Sequence, residues 1–231
     1  MGLKEEIKHL IFGLDVGGVG NDNTVLVLLE RVQEYAMGAF KDDEKVAIGK
    51  PFYRLRRCDI MPIGTPSPMQ FDRVKRTYRK VQKKYAEQLT ERKYPLKPIL
   101  VMDRTGVGGP HFENYVEAGL NVYGIHFTAE GNKVNRDGRA WTVPGVDMTS
   151  ALAVLTENSR LHIPAKIEHR EKIIHQLANY KWKRKESGVL TAEHLRSKDH
   201  DDITDAIQVA VWYGEWGIRE VSTFSKIGLG I

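Results

Sequence analysis

The stretch IFGLDVGGVGNDNT, residues 11–24, carries the clearest structural signal in the chain. Its apolar first part indicates a buried β-strand that begins near residue 9 and ends on Asp15. The glycines after Asp15 suit a tight turn, and the apolar run over 23–32 predicts a second strand that pairs with the first. Three interpretations of this turn are open: it cradles a phosphate, it presents Asp15 to a metal ion, or it only reverses the chain.

The rest of the sequence alternates predicted strands with predicted helices. Strands are predicted over 52–61, 97–103, 121–127 and, as a short one, 160–164. Helices are predicted over 68–89, 109–118, 147–158, 165–180 and 200–216. Polar residues predict loops over 35–50 and 128–146, and a β-hairpin that turns at Ser187-Gly188 is predicted over 180–195. This order, with the first two or three strands consecutive, indicates an α/β layered domain with a mixed sheet.

Composition limits the class of protein. A chain of 231 residues with 41% hydrophobic and 28% charged residues is typical of one folded domain. Its 35 Lys and Arg against 30 Asp and Glu give a net charge of +5, which modestly favours a polyanionic partner. Cys58 is the single cysteine, so a disulfide framework is excluded and a reducing cytoplasm is expected. No apolar run approaches the roughly 18–20 residues of a membrane span, so no membrane partner is expected.

Two kinds of ATP-binding protein do not match the sequence. The pattern GxxxxGK[ST] does not occur in the chain, which excludes a P-loop ATPase, and residues 13–20 do not follow GxGxxG. Sugar-kinase and actin-like ATPases begin with a similar hairpin of aspartate and glycines that holds ATP phosphates. They need two such domains and a longer chain than this one.

Acidic residues lie at one end of each of three apolar elements. Asp15 closes the first strand and Asp103 closes the fourth, while Asp201, Asp202 and Asp205 open the last helix. Ligands of open α/β sheets collect at strand ends, so these carboxylates are expected to meet there. Clustered carboxylates repel one another unless a cation lies among them. Oxygen ligands favour Mg²⁺ or Mn²⁺, and two such ions can activate water for phosphodiester hydrolysis.

The alternative for each acid is an ordinary role as a turn former or helix cap. Within the last group, Asp205 can share a helix face with Asp201 or with Asp202, but Asp201 and Asp202 point about 100° apart. Asp202 is the first choice for the site and Asp205 the second.

Basic residues mark three possible DNA contacts. The predicted hairpin carries Lys181, Lys183, Arg184 and Lys185 around Trp182, and a basic β-ribbon can lie along a nucleic-acid groove. Arg104, directly after Asp103, is a further candidate. The helix over 68–89 presents seven cations between residues 73 and 84, which fit a solvated face as well as a DNA track.

Three segments together resemble a known family. FGLDVG (12–17), VMDRTGVGG (101–109) and KDHDDITDAIQVAVW (198–212) resemble the C-terminal nuclease domain of the large terminase of tailed bacteriophages, over most of residues 8–216. The resemblance implies an RNase H-like three-layer fold, with a central mixed five-stranded sheet flanked by helices and an added β-hairpin. It implies that Asp15 bridges two metal ions, that Asp103 binds one, and that an acid among Asp201, Asp202 and Asp205 completes the site.

The same resemblance implies a function. The chain is expected to be a single nuclease domain, with a core over about 8–216 and a tail over 217–231, that uses Mg²⁺ or Mn²⁺ to cleave double-stranded viral DNA concatemers in the host cytoplasm during packaging. Expected partners are the portal protein, the small terminase subunit and a terminase ATPase domain. Because the chain has no P-loop, that ATPase is either cut away or a separate chain. The alternatives are a nuclease like Holliday-junction resolvases and a non-catalytic DNA-binding or docking module.

Overall fold

The first three strands form a long antiparallel meander. They are β1 (Gly2–Asp15), β2 (Thr24–Met37) and β3 (Val46–Met61), with β2 in the middle. The computed structural model describes residues 2–18, 22–37, 45–89, 95–105, 108–128, 133–184, 190–194 and 201–218. The pairing of β1 with β2 confirms the hairpin that was predicted around the glycine turn.

Five more strands complete an eight-stranded mixed sheet. They are β4 (Ile99–Asp103), β5 (Val122–Thr128), β6 (Asn135–Asp137), β7 (Ala140–Pro144) and β8 (Leu161–His162). The strand order is β6-β7-β5-β4-β1-β2-β3-β8, in which β4 lies parallel to β1 and β5 lies parallel to β4. The central five strands, β3-β2-β1-β4-β5, form the predicted mixed sheet, and three short strands extend its two edges. The predicted fold class is confirmed.

Helices cover both faces of the sheet. They are α1 (Ser67–Gln88), α2 (Gly108–Glu117), α3 (Gly145–Glu157), α4 (Arg170–Asn179) and α5 (Asp202–Trp212), which continues as a turn of π-helix over Tyr213–Gly217. Helices α1 and α2 pack on one face with Leu10, Phe12 and Leu14 of β1. Helices α3, α4 and α5 pack on the other face with Ile11. The alternation of side chains along β1 therefore separates two cores.

The predicted boundaries are wrong in four places. The first strand is predicted to begin near residue 9, but β1 begins at Gly2. The sequence predicts a loop over 35–50, but β2 continues to Met37 and β3 begins at Val46, where the Gln33 amide donates to the carbonyl of Ile48 (3.1 Å). It predicts a loop over 128–146, where β6 and β7 pair at the sheet edge. It predicts that a helix begins at residue 165, but α4 begins at Arg170, because His169 has a left-handed φ of 60°.

A separate two-stranded hairpin follows α4. Strand β9 (Tyr180–Arg184) pairs antiparallel with β10 (Leu190–His194), which confirms the predicted hairpin. Its turn, with Lys185 and Ser187-Gly188, lies outside the described residues. None of the described helices is long and apolar enough to cross a membrane.

Candidate active site

Asp15 and Asp103 are the last residues of two neighbouring strands. Strands β1 and β4 run parallel, and their register pairs Leu14 with Met102. The residues that follow this pair, Asp15 and Asp103, therefore lie side by side at the same edge of the sheet. The prediction that both acids meet at strand ends agrees with this geometry.

Helix α5 lies directly on the end of β1. A Cβ atom on Gly13 would lie 1.8 Å from the carbonyl oxygen of Ala206, so only glycine permits this approach. Gly13 and Asp15 share a face of β1, because side chains alternate along a strand. The Asp15 side chain is therefore on the α5 side of the sheet, where Asp202 lies one helical turn before Ala206.

A glutamine from α4, and not an aspartate, caps the start of α5. The Gln176 Oε1 atom accepts hydrogen bonds from the backbone N–H groups of Ile203 (3.0 Å) and Thr204 (3.4 Å), and the glutamine is buried. Asp201 occupies the N-cap position but makes no capping hydrogen bond with its side chain. The capping interpretation of the acids is therefore wrong for Asp201.

The glycine turn after Asp15 holds Asp202. The backbone N–H and the side-chain amide of Asn23 both donate to Oδ2 of Asp202, at 3.2 and 3.0 Å. The turn is closed by the Gly17 N–H, which donates to Oγ1 of Thr24 (3.0 Å). A Cβ atom on Gly17 would lie 2.2 Å from the carbonyl oxygen of Asp22. This glycine therefore serves a tight turn that places Asn23 against the helix.

Asp103 is fixed by the loop that follows it. Its Oδ1 atom accepts a hydrogen bond from the Thr105 N–H at 2.7 Å. A Cβ atom on Gly108 would lie 2.0 Å from the Asp103 carbonyl oxygen, so the start of α2 folds tightly against the end of β4. The loop thus limits the positions that the Asp103 carboxylate can take.

The aspartates interact electrostatically as one group. Burial raises the pKa of Asp15 well above its usual value, and the charges of Asp103, Asp202, Asp201 and Asp22 raise it further. Burial also raises the pKa of Asp205 well above its usual value, with Asp201 as the largest charge contribution, followed by Asp15, Asp103 and Asp202. Each of the other four predicted site acids is therefore close enough to Asp15 for their charges to repel.

The pKa of Asp103 responds to opposing influences. Burial raises it, while the hydrogen bonds from Thr105 and the charge of His126 lower it, and the net direction is upward. His126 lies on β5, the strand next to β4, and its side chain is exposed. His126 is not predictable as a site residue from the sequence, because a lone histidine in a strand gives no spacing signal.

The donor chemistry of this group fits a hard divalent cation. Carboxylate oxygens are the ligands that Mg²⁺ and Mn²⁺ prefer, and a cation among them would relieve the repulsion that raises the pKa of Asp15. Among the described residues, no three acidic, histidine or cysteine side chains converge closely enough to hold one ion. The carboxylate of Asp202 is directed to Asn23.

No family model matches the chain and no curated protein matches it in sequence, but its fold matches solved structures. A structure of the large terminase nuclease from thermophilic phage G20c matches with a TM-score of 0.52 and 18% identity, over 90% of this chain and 82% of that one. The fold is that of a terminase nuclease domain. The resemblance read from the sequence is thereby confirmed at the level of fold.

Two further terminase nuclease structures were solved with metal ions. The G20c nuclease with bound magnesium matches with a TM-score of 0.51 and 19% identity, over 88% of this chain and 80% of that one. A mutant nuclease domain of the large terminase subunit gp2 of bacterial virus Sf6, with manganese and beta-thujaplicinol, matches with a TM-score of 0.52 and 13% identity, over 88% and 87%.

Of the predicted DNA contacts, Arg104 lies next to the acidic residues in the structure. Arg104 follows Asp103 directly and lines a cleft of about 280 Å³ with His126 and Thr142. Its guanidinium group pairs with Glu113 (3.4 Å) and lies over the Phe112 ring (4.4 Å).

The predicted hairpin begins close to the acids. Tyr180, its first residue, is four residues after Gln176, about 6 Å further along a helix. The side chains of Lys181, Lys183 and Arg184 lie outside the described part, as does Lys185.

Proposed function

We propose that this chain is a metal-dependent endonuclease of the large-terminase type that cleaves double-stranded viral DNA concatemers during genome packaging. The observation that carries the proposal is the meeting of Asp15, Asp103 and the first turn of α5 at one edge of the sheet. The fold likeness to terminase nucleases, two of them solved with magnesium or manganese, supports it.

Asp15, Asp103 and Asp202 are proposed as the principal ligands of two divalent cations. Asp201 and Asp205 are candidates for the same role. Two bound cations would lower the pKa of an attacking water and stabilise the leaving oxygen of the phosphodiester. The residues of the chain position these ligands: Gly13 admits α5, Gln176 fixes its first turn, and Asn23 orients Asp202.

Asp202 is favoured over Asp201 and Asp205 for direct ligation. It is 4% exposed, it lies at the first position of α5, and its charge raises the pKa of the buried Asp15 more than the charge of Asp201 does. The two hydrogen bonds from Asn23 limit its rotation in the way that outer-shell partners orient metal-binding carboxylates. Asp205, one turn further, is proposed to adjust the charge of the site.

DNA would approach from the sheet edge that carries the acids. Arg104 and the cleft beside His126 offer contacts for the strand next to the cleaved bond. Lys181, Lys183, Arg184 and Lys185 of the hairpin are proposed to hold phosphates, because cations that neutralise phosphates supply most sequence-independent affinity. The proposed partners are double-stranded DNA, the portal protein, the small terminase subunit and a terminase ATPase domain, in the host cytoplasm.

Nicking of supercoiled plasmid DNA in Mn²⁺ or Mg²⁺ tests the proposal. Wild-type protein is expected to produce nicked and linear products that EDTA abolishes. Asp15→Asn and Asp103→Asn are expected to lose all detectable cleavage while keeping their far-ultraviolet circular dichroism. Asp147→Asn makes the same chemical change on α3, where Asp147 lines a cavity with Trp212 and Trp216 at the other end of α5, and serves as the matched control. Full activity in either site variant would contradict the assignment, and no metal-dependent product from the wild type would contradict the function.

A further inference from the structure

Helix α1 presents an unusual concentration of positive charge to solvent. Its cations are Arg73, Lys75, Arg76, Arg79, Lys80, Lys83 and Lys84. The buried stripe of the helix contains Val74, Tyr78 and Tyr85. At 100° per residue, the cations occupy the half of the helix that is centred opposite this stripe. The set from Arg73 to Lys84 spans about 16 Å of helix axis.

Few of these charges are compensated. Lys75 pairs with Asp72 (3.3 Å) and Lys83 pairs with Glu87 (3.9 Å). Within the described residues, the remaining cations of the α1 face form no ion pair. Like charges three and four residues apart on a helix destabilise it, and a face that only needs to be solvated mixes both signs. The sequence thus retains an arrangement that costs helix stability.

Helix α1 is firmly attached to the sheet through its other side. The Tyr78 hydroxyl donates to the Pro98 carbonyl (2.5 Å), and the Tyr85 hydroxyl donates to Oε1 of Glu30 (2.5 Å). The Phe71 ring stacks on Tyr115 of α2, with ring centroids 5.0 Å apart. Helix α1 is therefore held in place on the sheet, and its seven cations form a basic track along its solvent face. Substitutions on that face leave the attachments of the helix intact.

The track leads away from the proposed catalytic centre. Strand β3 ends at Met61, which pairs with Thr24 beside the Asp15 turn, and α1 begins six residues later. The far end of α1 reaches Glu30, which pairs with Leu10, five residues before Asp15. The cations nearest Arg73 therefore lie towards the acidic edge of the sheet, and those nearest Lys84 lie further from that edge on the same face.

We propose that the solvent face of α1 is a second binding surface for duplex DNA, which holds a segment of the substrate outside the catalytic centre. This inference rests on the proposed nuclease function for its biological substrate, but the surface itself needs only phosphates. DNA carries one charge per roughly 1.7 Å of helix axis, so a 16 Å track faces enough phosphates to use all of its unpaired cations.

Binding of a fluorescent duplex, measured by anisotropy without divalent metal, tests the proposal. The duplex is about 40 bp long, or nearly four helical turns, so that it can reach beyond the catalytic centre. The test variant is Lys80→Glu with Lys84→Glu. The matched control is Lys4→Glu with Lys50→Glu, which makes the same charge change at exposed positions on strands at the far end of the sheet.

The α1 variant is expected to bind the long duplex about tenfold or more weakly than wild type, and the slope of log K against log salt is expected to fall by about 2. The control is expected to change affinity by less than about threefold. A duplex of about 12 bp, little more than one helical turn, is expected to be cleaved at the wild-type rate by the α1 variant.

Two results would overturn the inference. Equal weakening by the α1 variant and the control would assign the effect to net charge, and unchanged affinity in the α1 variant would exclude a DNA contact there. Absence of cleavage by wild-type protein would contradict the proposed nuclease function alone. In that case, loss of binding confined to the α1 variant would still support the surface.

Discussion

Gly13 of β1 and Ala206 of α5 lie backbone against backbone, so close that a Cβ atom on Gly13 would lie 1.8 Å from the Ala206 carbonyl oxygen. This approach places the first turn of α5 over the end of β1, where Asp15 lies. The proposed catalytic centre therefore depends on the absence of one side chain. The position of α5 also explains why this almost wholly apolar helix begins with aspartates. The body of the helix is buried on the sheet, and its first turn reaches the edge of the sheet.

Gly13→Ala is expected to displace α5 and to separate Asp202 from Asp15. The overpacking should cost about 1–3 kcal/mol, which lowers the melting temperature by roughly 3–10 °C for a chain of this size. Thermal unfolding measures the loss of stability, and plasmid nicking measures the expected loss of activity. Gly109→Ala is the control, because a Cβ atom there approaches the nearest neighbouring atom only to 3.9 Å. Gly13→Ala with unchanged stability would show that the helix does not depend on this contact.

Gln176→Met is expected to remove the acceptor for two backbone N–H groups of α5. The buried Ile203 and Thr204 amides would lose their side-chain partner, at a cost of about 1–2 kcal/mol, or roughly 2–8 °C in melting temperature. Differential scanning calorimetry measures this change. Gln88→Met, at an exposed position near the end of α1, provides the comparison. The cap assignment fails if the two variants melt at the same temperature.

Asn23→Ala is expected to weaken metal binding without unfolding the protein. The substitution removes the 3.0 Å hydrogen bond from the side-chain amide to Asp202 and keeps the one from the backbone. Loss of such an orienting partner typically costs about 10–100-fold in metal affinity. The Mn²⁺ concentration for half-maximal cleavage should rise by that factor, while Asn114→Ala, exposed on α2, should not change it. An unaltered Mn²⁺ requirement in Asn23→Ala would argue against the role of Asn23.

Asp205→Asn is expected to stabilise the metal-free protein at neutral and higher pH. Because burial and neighbouring aspartates raise the pKa of Asp205 in the folded state, its ionisation opposes folding. That cost is absent below the unfolded pKa, grows as the pH rises through it, and is complete above the folded pKa. The variant should therefore melt roughly 2–4 °C higher at pH 8, for about 1 kcal/mol, and no higher at pH 4.

Melting in EDTA at the two pH values checks this expectation, with Asp137→Asn as the exposed control. A gain of the same size at pH 4 and pH 8 would mean that charge repulsion is not the cause.

The positions of Asp15 and Asp103 could be predicted because each ends an apolar strand, and parallel neighbouring strands end at one edge. The start of α5 was predictable for the same local reason. The contacts that hold the site were not. Gln176 and Asn23 act on residues 27 and 179 positions away, and no local pattern encodes such pairs. Strand β6 was missed because its three residues are all polar, and β7 was missed because it is only five residues long and follows a long polar stretch.

The glycine turn illustrates what tertiary structure adds. From the sequence, the glycines after Asp15 fitted a phosphate cradle, a metal site or a simple turn. In the structure, Gly17 lies against the carbonyl of Asp22, and the turn presents Asn23 to Asp202. The role of the turn is therefore to join two parts of the acidic cluster.

The most direct test of the central claim is anomalous X-ray scattering from a crystal soaked in Mn²⁺. We expect anomalous density between Asp15, Asp103 and Asp202 in the wild-type protein, and its loss in Asp15→Asn. Occupied density elsewhere on the protein, with none among these aspartates, would contradict the claim that they form the metal centre of a nuclease.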